Sequence, residues 1–293
     1  MRLTLRFGQL VLLPKVCALL PLVALAATAC RWTDALLTVH DADVTSASHT
    51  DGGMDGSACA NHQASGGSAG LTDSLVVWYQ CESAAGTSGT LLLDSSGHGN
   101  DGTLLAAGDG GLGYNFAAGK VGNALDLVYA NSGFVALPAG LLADACEATI
   151  ATWVYLNSGV KSWMRIFDFG IDRNVYMFLT PINSLDNVAR FGISVRGNAH
   201  EDDIKAQAAM PTLAWTHVAV VLGASGGTLY FNGLPVGTNS SMTLRPADLG
   251  RTVNDYIGRS EFVDPYLDGN IDEFRIYRRA LSPDEIQALA NGS

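Results

Sequence analysis

The chain has 293 residues, 48% of them apolar and only 15% charged, with 33 glycines. That length holds one large domain or two ordinary ones, and the composition excludes global disorder while suiting a packed all-β fold rich in tight turns. A formal charge of −11 excludes a phosphate-backbone binder, which needs clustered Lys and Arg along its contact face, so nucleic acid is not an expected partner.

Arg2, Arg6 and Lys15 precede a charge-free apolar run, residues 16–29, that ends in Ala26, Ala27, Thr28 and Ala29. A spanning helix needs about 20 apolar residues. This run is shorter and contains Pro21, so the layout predicts a secretory signal over residues 1–29. Cys30 follows at once, and Ala27-Thr-Ala-Cys30 resembles the lipobox of bacterial lipoproteins, although that pattern favours leucine where Ala27 stands. The resemblance implies a diacylglyceryl group on the Cys30 thiol and anchoring to the bacterial envelope, each buried CH₂ contributing about 0.8 kcal/mol. Ordinary cleavage and secretion is the alternative.

Residues 30–70 are rich in Ser, Ala, Gly and Asp without sustained periodicity, and are expected to be a flexible lipidated tether. His40, His49 and His62 fall there without metal-ligand spacing and are expected to be solvated.

From residue 71 to 293 the pattern changes to short runs of alternating apolar residues separated by Gly, Asn, Asp and Pro. Strands are expected at residues 75–79, 149–156, 165–171, 175–179, 190–196, 216–222 and 272–277. In Arg190-Phe-Gly-Ile-Ser-Val-Arg196, Phe191, Ile193 and Val195 share one face and Arg190, Ser194 and Arg196 the other. Asn232-Gly233 between two apolar runs predicts a type I′ hairpin, whose central residues both need positive φ. Ser282, followed by Pro283, Asp284 and Glu285, predicts a capped short helix to about residue 290. With no long helical pattern between the strands, the fold class is all-β, a two-sheet antiparallel sandwich with a short C-terminal helix.

Several blocks carry a family likeness. Leu75-Val-Val-Trp-Tyr, Asp94-Ser-Ser-Gly-His-Gly-Asn100-Asp-Gly, Gly119-Lys-Val-Gly-Asn-Ala-Leu, Ala148-Thr-Ile-Ala-Thr-Trp-Val, Trp215-Thr-His-Val-Ala-Val, Leu229-Tyr-Phe-Asn-Gly and Asp268-Gly-Asn-Ile-Asp-Glu-Phe-Arg-Ile-Tyr-Arg-Arg-Ala-Leu-Ser resemble the LamG-like jelly roll of laminin G, pentraxin and concanavalin A-like domains. The resemblance implies a jelly-roll sandwich over residues 71–293, in which Trp78, Trp153 and Trp215 serve packing. It also implies a structural calcium at the sandwich rim, with Glu82, Asp94, Asn100 and Asp272 as ligands. From the residues alone, Asp272 shares parity with Phe274 and Ile276, so its carboxylate is expected to face the apolar side and to need loop N–H groups or a cation. Asp268, Asn270 and Asp272 have the opening spacing of an EF-hand, but Glu273 stands where that loop needs glycine.

Once Cys17 leaves with the signal and Cys30 takes lipid, Cys59, Cys81 and Cys146 remain. Cys81 and Cys146 both sit at expected strand ends, so a Cys81–Cys146 disulfide is expected, contributing about 3 to 5 kcal/mol; a buried unbridged pair is the alternative.

Gly223-Ala-Ser225-Gly-Gly227 has the letters of a nucleophile elbow, but a strand follows where that motif needs a helix, and a hairpin turn is expected. Gly108-Asp-Gly110-Gly-Leu-Gly113 opens no helix over a phosphate and is expected to be a glycine loop. The paired-glutamate run of sandwich hydrolases is absent, Glu201-Asp-Asp203 is expected as a solvated loop, and His217 as a structural histidine. No catalytic residues are therefore expected. Aromatics in loop-like stretches, Trp163, Tyr256 and Tyr266, are the expected sugar platforms. The expected function is a non-catalytic surface module that binds a glycan or envelope protein. The alternatives are a polysaccharide hydrolase or lyase on the same scaffold and a passive structural lipoprotein.

Overall fold

The computed structural model describes Cys59 and residues 70–85, 90–108 and 111–292. The expected signal, Cys30 and nearly all of the expected tether lie outside the described residues. In chain order the strands are β1 (Leu75–Tyr79), β2 (Ala84–Ala85), β3 (Leu91–Leu92), β4 (Gly102–Ala106), β5 (Tyr114–Ala118), β6 (Asn123–Leu127), β7 (Gly133–Ala136), β8 (Ala148–Leu156), β9 (Phe167–Gly170), β10 (Tyr176–Thr180), β11 (Arg190–Ser194), β12 (Asp202–Lys205), β13 (Trp215–Gly223), β14 (Gly226–Phe231), β15 (Leu234–Asn239), β16 (Asn254–Ile257) and β17 (Gly269–Tyr277). One helix, α1 (Pro283–Ala290), closes the described chain.

The strands form two antiparallel sheets. One runs β15-β14-β13-β8-β17-β6-β5, with β1 also paired to β17; the other runs β12-β11-β10-β9-β16-β7-β4-β3-β2. Period-two alternation puts the apolar residues of each sheet on the facing sides. Val218, Val220 and Leu222 of β13 thus share a core with Phe167 and Phe169 of β9 and Phe191 and Ile193 of β11. Against the outer face of the first sheet lies a second layer, where Ala219, Val221 and Tyr277 pack under Leu281, Ile286 and Leu289. The β14–β15 turn has Asn232 and Gly233 at φ 48° and 81°, and Ser282 caps α1 in a reciprocal pair with Glu285, both as the sequence predicts. Gly223 pairs with Gly226 across the expected hairpin turn.

Two expectations are corrected. The disulfide joins Cys59 to Cys146, not Cys81 to Cys146, and Cys81 is a buried thiol. The reason is the facing of the side chain. Cys81 has φ 60° at the end of β1, which turns it into the core with its Sγ donating to the Tyr79 carbonyl. Burial, then the nearby Asp272 carboxylate, pushes the thiol pKa up, so it stays protonated.

The second correction concerns Asp272. A β-bulge between Asp272 and Arg275, centred on Glu273 at φ 53°, inserts one residue and breaks the parity. Ile271 therefore enters the core opposite Val154, while Asp272 lies opposite Trp153 on the outer face. Loop N–H groups meet its Oδ2, from Lys120 at 2.8 Å and Val121 at 2.9 Å.

Candidate functional site

The outer face of the nine-stranded sheet collects most of the polar and aromatic chemistry. Tyr256 on β16 is opposite Asp168 on β9, and Asp168 is opposite Phe178 on β10, so the three side chains share that face. Tyr176 and Arg190 extend it across β10 and β11, because each keeps the parity of Phe178. Loops at residues 161–166, 196–201 and 258–267 fold over this row and supply the rest.

A hollow of about 310 Å³ opens between Trp163, Arg165, Phe178, Arg190, Glu201 and Phe262. Its walls are aromatic. Phe178 meets Trp163 edge-on at 6.3 Å between ring centroids, and Tyr176 meets Phe262 edge-on at 5.4 Å. The Arg165 guanidinium lies 4.1 Å from the Phe178 ring centroid and is held by Asp168 at 3.2 Å and Asp264 at 3.0 Å. On the other side the Arg190 guanidinium and the Tyr176 hydroxyl both donate to Glu201, and Arg190 Nε is 3.2 Å from Asp203. Trp163 is held at φ 67°, a left-handed conformation uncommon for a bulky side chain, and its indole N–H donates to Ser184 at 2.8 Å. The hollow therefore offers fixed ring faces, two guanidinium groups and several carboxylates, with no excess positive charge.

A neighbouring hollow of about 450 Å³ is lined by Asp172, Asn254, Tyr256, Arg259 and Glu261 among others. Arg259 stacks on Tyr256 at 4.6 Å and on Phe134 at 4.7 Å. Three carboxyls beneath this region are pushed up, each chiefly by burial. Asp168 rises to about 6 against the opposing pull of Arg165, Asp255 to about 7 against hydrogen bonds led by Thr252, and Glu261 to about 8 with the Asp168 charge adding to burial. Glu261 is thus held mostly as the neutral acid near pH 7.

The structure places the three expected sugar aromatics on this one face: Trp163 in the first hollow, Tyr256 in the second, and Tyr266 beside Phe134 with ring centroids 6.0 Å apart. Sequence reading missed Arg165, Arg190, Glu201 and Phe262. The expectation that Glu201-Asp-Asp203 is a solvated loop is overturned, since Glu201 is buried by Tyr176 and Arg190, and Asp202 and Asp203 belong to β12. Asp202 accepts the N–H groups of Thr243 and Leu244 at 2.7 and 2.9 Å. A signal was present in the arginines at 165 and 190, each opening an expected strand whose following residues are largely apolar.

The residues named for calcium do not fit one site. Both Asp94 oxygens are occupied by donors: Oδ1 by the N–H groups of Trp78 and Ser96, Oδ2 by the Ser96 hydroxyl and the Asn100 N–H. Burial would raise the Asp94 pKa, but these donors, led by the Ser96 hydroxyl, outweigh it and hold the carboxyl below its ordinary value. Glu82 accepts from Asn123 N–H at 2.9 Å, and Asp272 takes the Lys120 and Val121 N–H groups, a different loop from that of Asp94. Among the described residues no group of three or more His, Cys, Asp or Glu is arranged to hold a metal ion. His217 keeps the expected parity with Ala219 and Val221, but its Nδ1 is buried without a hydrogen-bond partner, and burial followed by the Arg275 charge pushes its pKa down to about 4.

Solved structures with this fold are similar along most of the described chain. Domain 4 of AbnA, a GH43 extracellular arabinanase from Geobacillus stearothermophilus, solved with arabinotriose, superposes with TM-score 0.59 at 24% identity, covering 74% of this chain and 98% of that domain. The botulinum neurotoxin serotype C1 binding domain gives TM-score 0.58 at 16% identity over 76% of this chain, which spans about half (52%) of that domain. A Trypanosoma rangeli sialidase mutant displaying trans-sialidase activity gives 0.51 at 17% identity, covering 74% of this chain and 32% of that enzyme. At these identities the likeness is one of fold. No curated protein matches the sequence. Residues 129–287 match the family described as the concanavalin A-like lectin/glucanases superfamily, a stretch that runs from the end of β6 into α1 and includes both hollows, and the chain belongs to that superfamily.

Proposed function

We propose that this protein is a non-catalytic glycan-recognition module whose binding face is the outer side of the nine-stranded sheet. The observation that carries the reading is the 310 Å³ hollow, where the half-buried rings of Trp163 and Phe262 stand beside the buried Arg190–Glu201 pair and the Arg165–Asp264 pair, over a floor formed by Phe178. Ring faces pack against sugar C–H groups, while fixed guanidinium and carboxylate groups exchange hydrogen bonds with hydroxyls. The carboxylates around both arginines make a neutral saccharide a better fit than an acidic one. The arabinotriose of the arabinanase domain makes arabino-oligosaccharides the first ligands to try. Export supports the same reading: the signal-like residues 1–29, the Cys30 lipobox resemblance and a Cys59–Cys146 disulfide all suit an oxidising, envelope-exposed compartment. In that setting the lipid holds the module at the cell surface.

The test is titration calorimetry with arabino-, xylo-, gluco- and galacto-oligosaccharides, backed by a glycan array. Trp163→Ala is expected to weaken the best ligand about tenfold, the equivalent of roughly 1.4 kcal/mol. Failure of every saccharide to bind, or an unchanged affinity in that variant, would overturn the assignment.

A hydrolase reading is favoured by one observation, the protonated Glu261 beside the second hollow, because a general acid needs a raised pKa. Its natural partner, Asp168, is fully buried beneath Arg165 and does not reach a substrate. Turnover of a polysaccharide that is abolished in Glu261→Gln would place catalysis ahead of recognition.

A further inference from the structure

The bulge in β17 and the end of α1 border a third cavity, of about 210 Å³, on the opposite side of the sandwich. It lies on the outer face of the eight-stranded sheet, where His217 is opposite Trp153 and Ala151 opposite Arg275. Glu273 and Arg275, two residues apart, share this face beside Trp78 by ordinary alternation, opposite in facing to Phe274 and Ile276. The extra residue of the bulge adds Asp272 to the same face and holds Glu273 at φ 53°.

Each polar group there is fixed. Glu273 Oε2 accepts the Trp78 indole N–H at 2.8 Å and the Arg275 guanidinium at 2.6 Å. Both of these bonds fall on Oε2, and the Glu273 carboxylate lines the cavity. Gln80 accepts from Ser95 through Oε1, so its amide NH₂ remains to donate. His217 is 2% exposed, lines the cavity, and has an Nδ1 without a partner, a costly arrangement for a group away from water. Ala151, Val121 and Leu289 supply the apolar wall.

The lining selects among ligands. A cation is disfavoured, because Arg275 already sits 4.7 Å over the Trp78 ring and Lys120 4.4 Å over Trp153. An anion would meet the Glu273 carboxylate. An extended apolar ligand would strand the polar groups, and the volume falls below the roughly 300–1,000 Å³ of pockets for drug-sized molecules. A neutral ring with hydroxyls on its rim and C–H groups on its faces meets every one of these conditions. We propose that the cavity between Trp78, Trp153, His217, Glu273 and Arg275 is a second saccharide site, sized for a single sugar unit and separate from the face of the nine-stranded sheet.

The full chain is titrated with the methyl glycosides of glucose, galactose, mannose, arabinose and N-acetylglucosamine. Binding is read by tryptophan fluorescence and by saturation-transfer NMR. At least one glycoside is expected to bind, with affinity reduced tenfold or more in Glu273→Gln and in Gln80→Ala. The second variant alters a half-buried lining residue and guards against misfolding of the first. Absence of binding by all five sugars, or binding unaffected in both cavity variants, overturns the proposal. Binding lost in Trp163→Ala but retained in the cavity variants also overturns it while leaving the recognition face of the other sheet standing.

Discussion

Cys146 has two cysteines within the sequence that follows the lipobox-like Cys30, and the direction in which each side chain points decides between them. Cys81 looks inward and is enclosed by core residues, so Cys59 takes the bridge across 87 residues. Closing a loop of that length restricts the unfolded chain, and Cys59→Ser is expected to cost roughly 2–5 kcal/mol, visible as a lower denaturant midpoint. Peptide mapping without reduction should recover the Cys59–Cys146 pair, with Cys81 alkylated only after unfolding; recovery of a Cys81–Cys146 peptide would reverse the assignment. The same rule of facing explains Glu201. Read along the chain it belongs to an acidic, solvent-like stretch, but Arg190 and Tyr176 come from neighbouring strands and enclose it.

At the level of elements, α1 illustrates how little sequence is needed when a signal is local. Ser282 accepts from Glu285 N–H and Glu285 returns the bond to Ser282 N–H at 2.8 Å, so Ser282→Ala is expected to lower stability by about 1 kcal/mol and Ser282→Gly by a few tenths in urea unfolding. Strand alternation was legible for the same reason: β1 occupies the expected residues, and β8, β10 and β13 lie within one residue of theirs. The bulge at Glu273 was not legible. Its presence depends on the pairing of β17 with β8, and one inserted residue reverses the facing of Asp272, which parity had aimed at the core. The candidate site was legible only in part. Trp163 and Tyr266 could be named because loop aromatics stand out singly; Tyr256 was named on the same ground but stands on β16, and the ion pairs join residues brought together by sheet order, which alternation does not encode.

For the whole molecule, the direction of pH dependence follows from the buried carboxyls. Asp168, Asp255, Glu261 and Asp272 are raised, chiefly by burial, to about 6, 7, 8 and 6, whereas the same groups in the unfolded chain titrate near 4. Between those values the folded protein holds protons that the unfolded chain has lost, so stability falls as pH rises through this window. His217 acts oppositely between about 4 and the ordinary imidazole value near 6.5, but one imidazole opposes four carboxyls. The melting temperature is therefore expected to be higher at pH 5 than at pH 8, at about 2–4 °C for each kcal/mol, and the slope should flatten in Glu261→Gln. A melting temperature that climbs over that range would contradict the assignment of these carboxyls as neutral. The Cys59–Cys146 bridge has a mechanical consequence as well. A pull applied upstream of Cys59 enters the domain at Cys146, two residues before β8, which lies in mid-sheet between β13 and β17. Drag on a tethered copy would then load hydrogen bonds on both sides of β8 at once, a shearing geometry. With the bridge reduced, the same force would arrive at β1, which is held by β17 alone and can be unzipped one bond at a time.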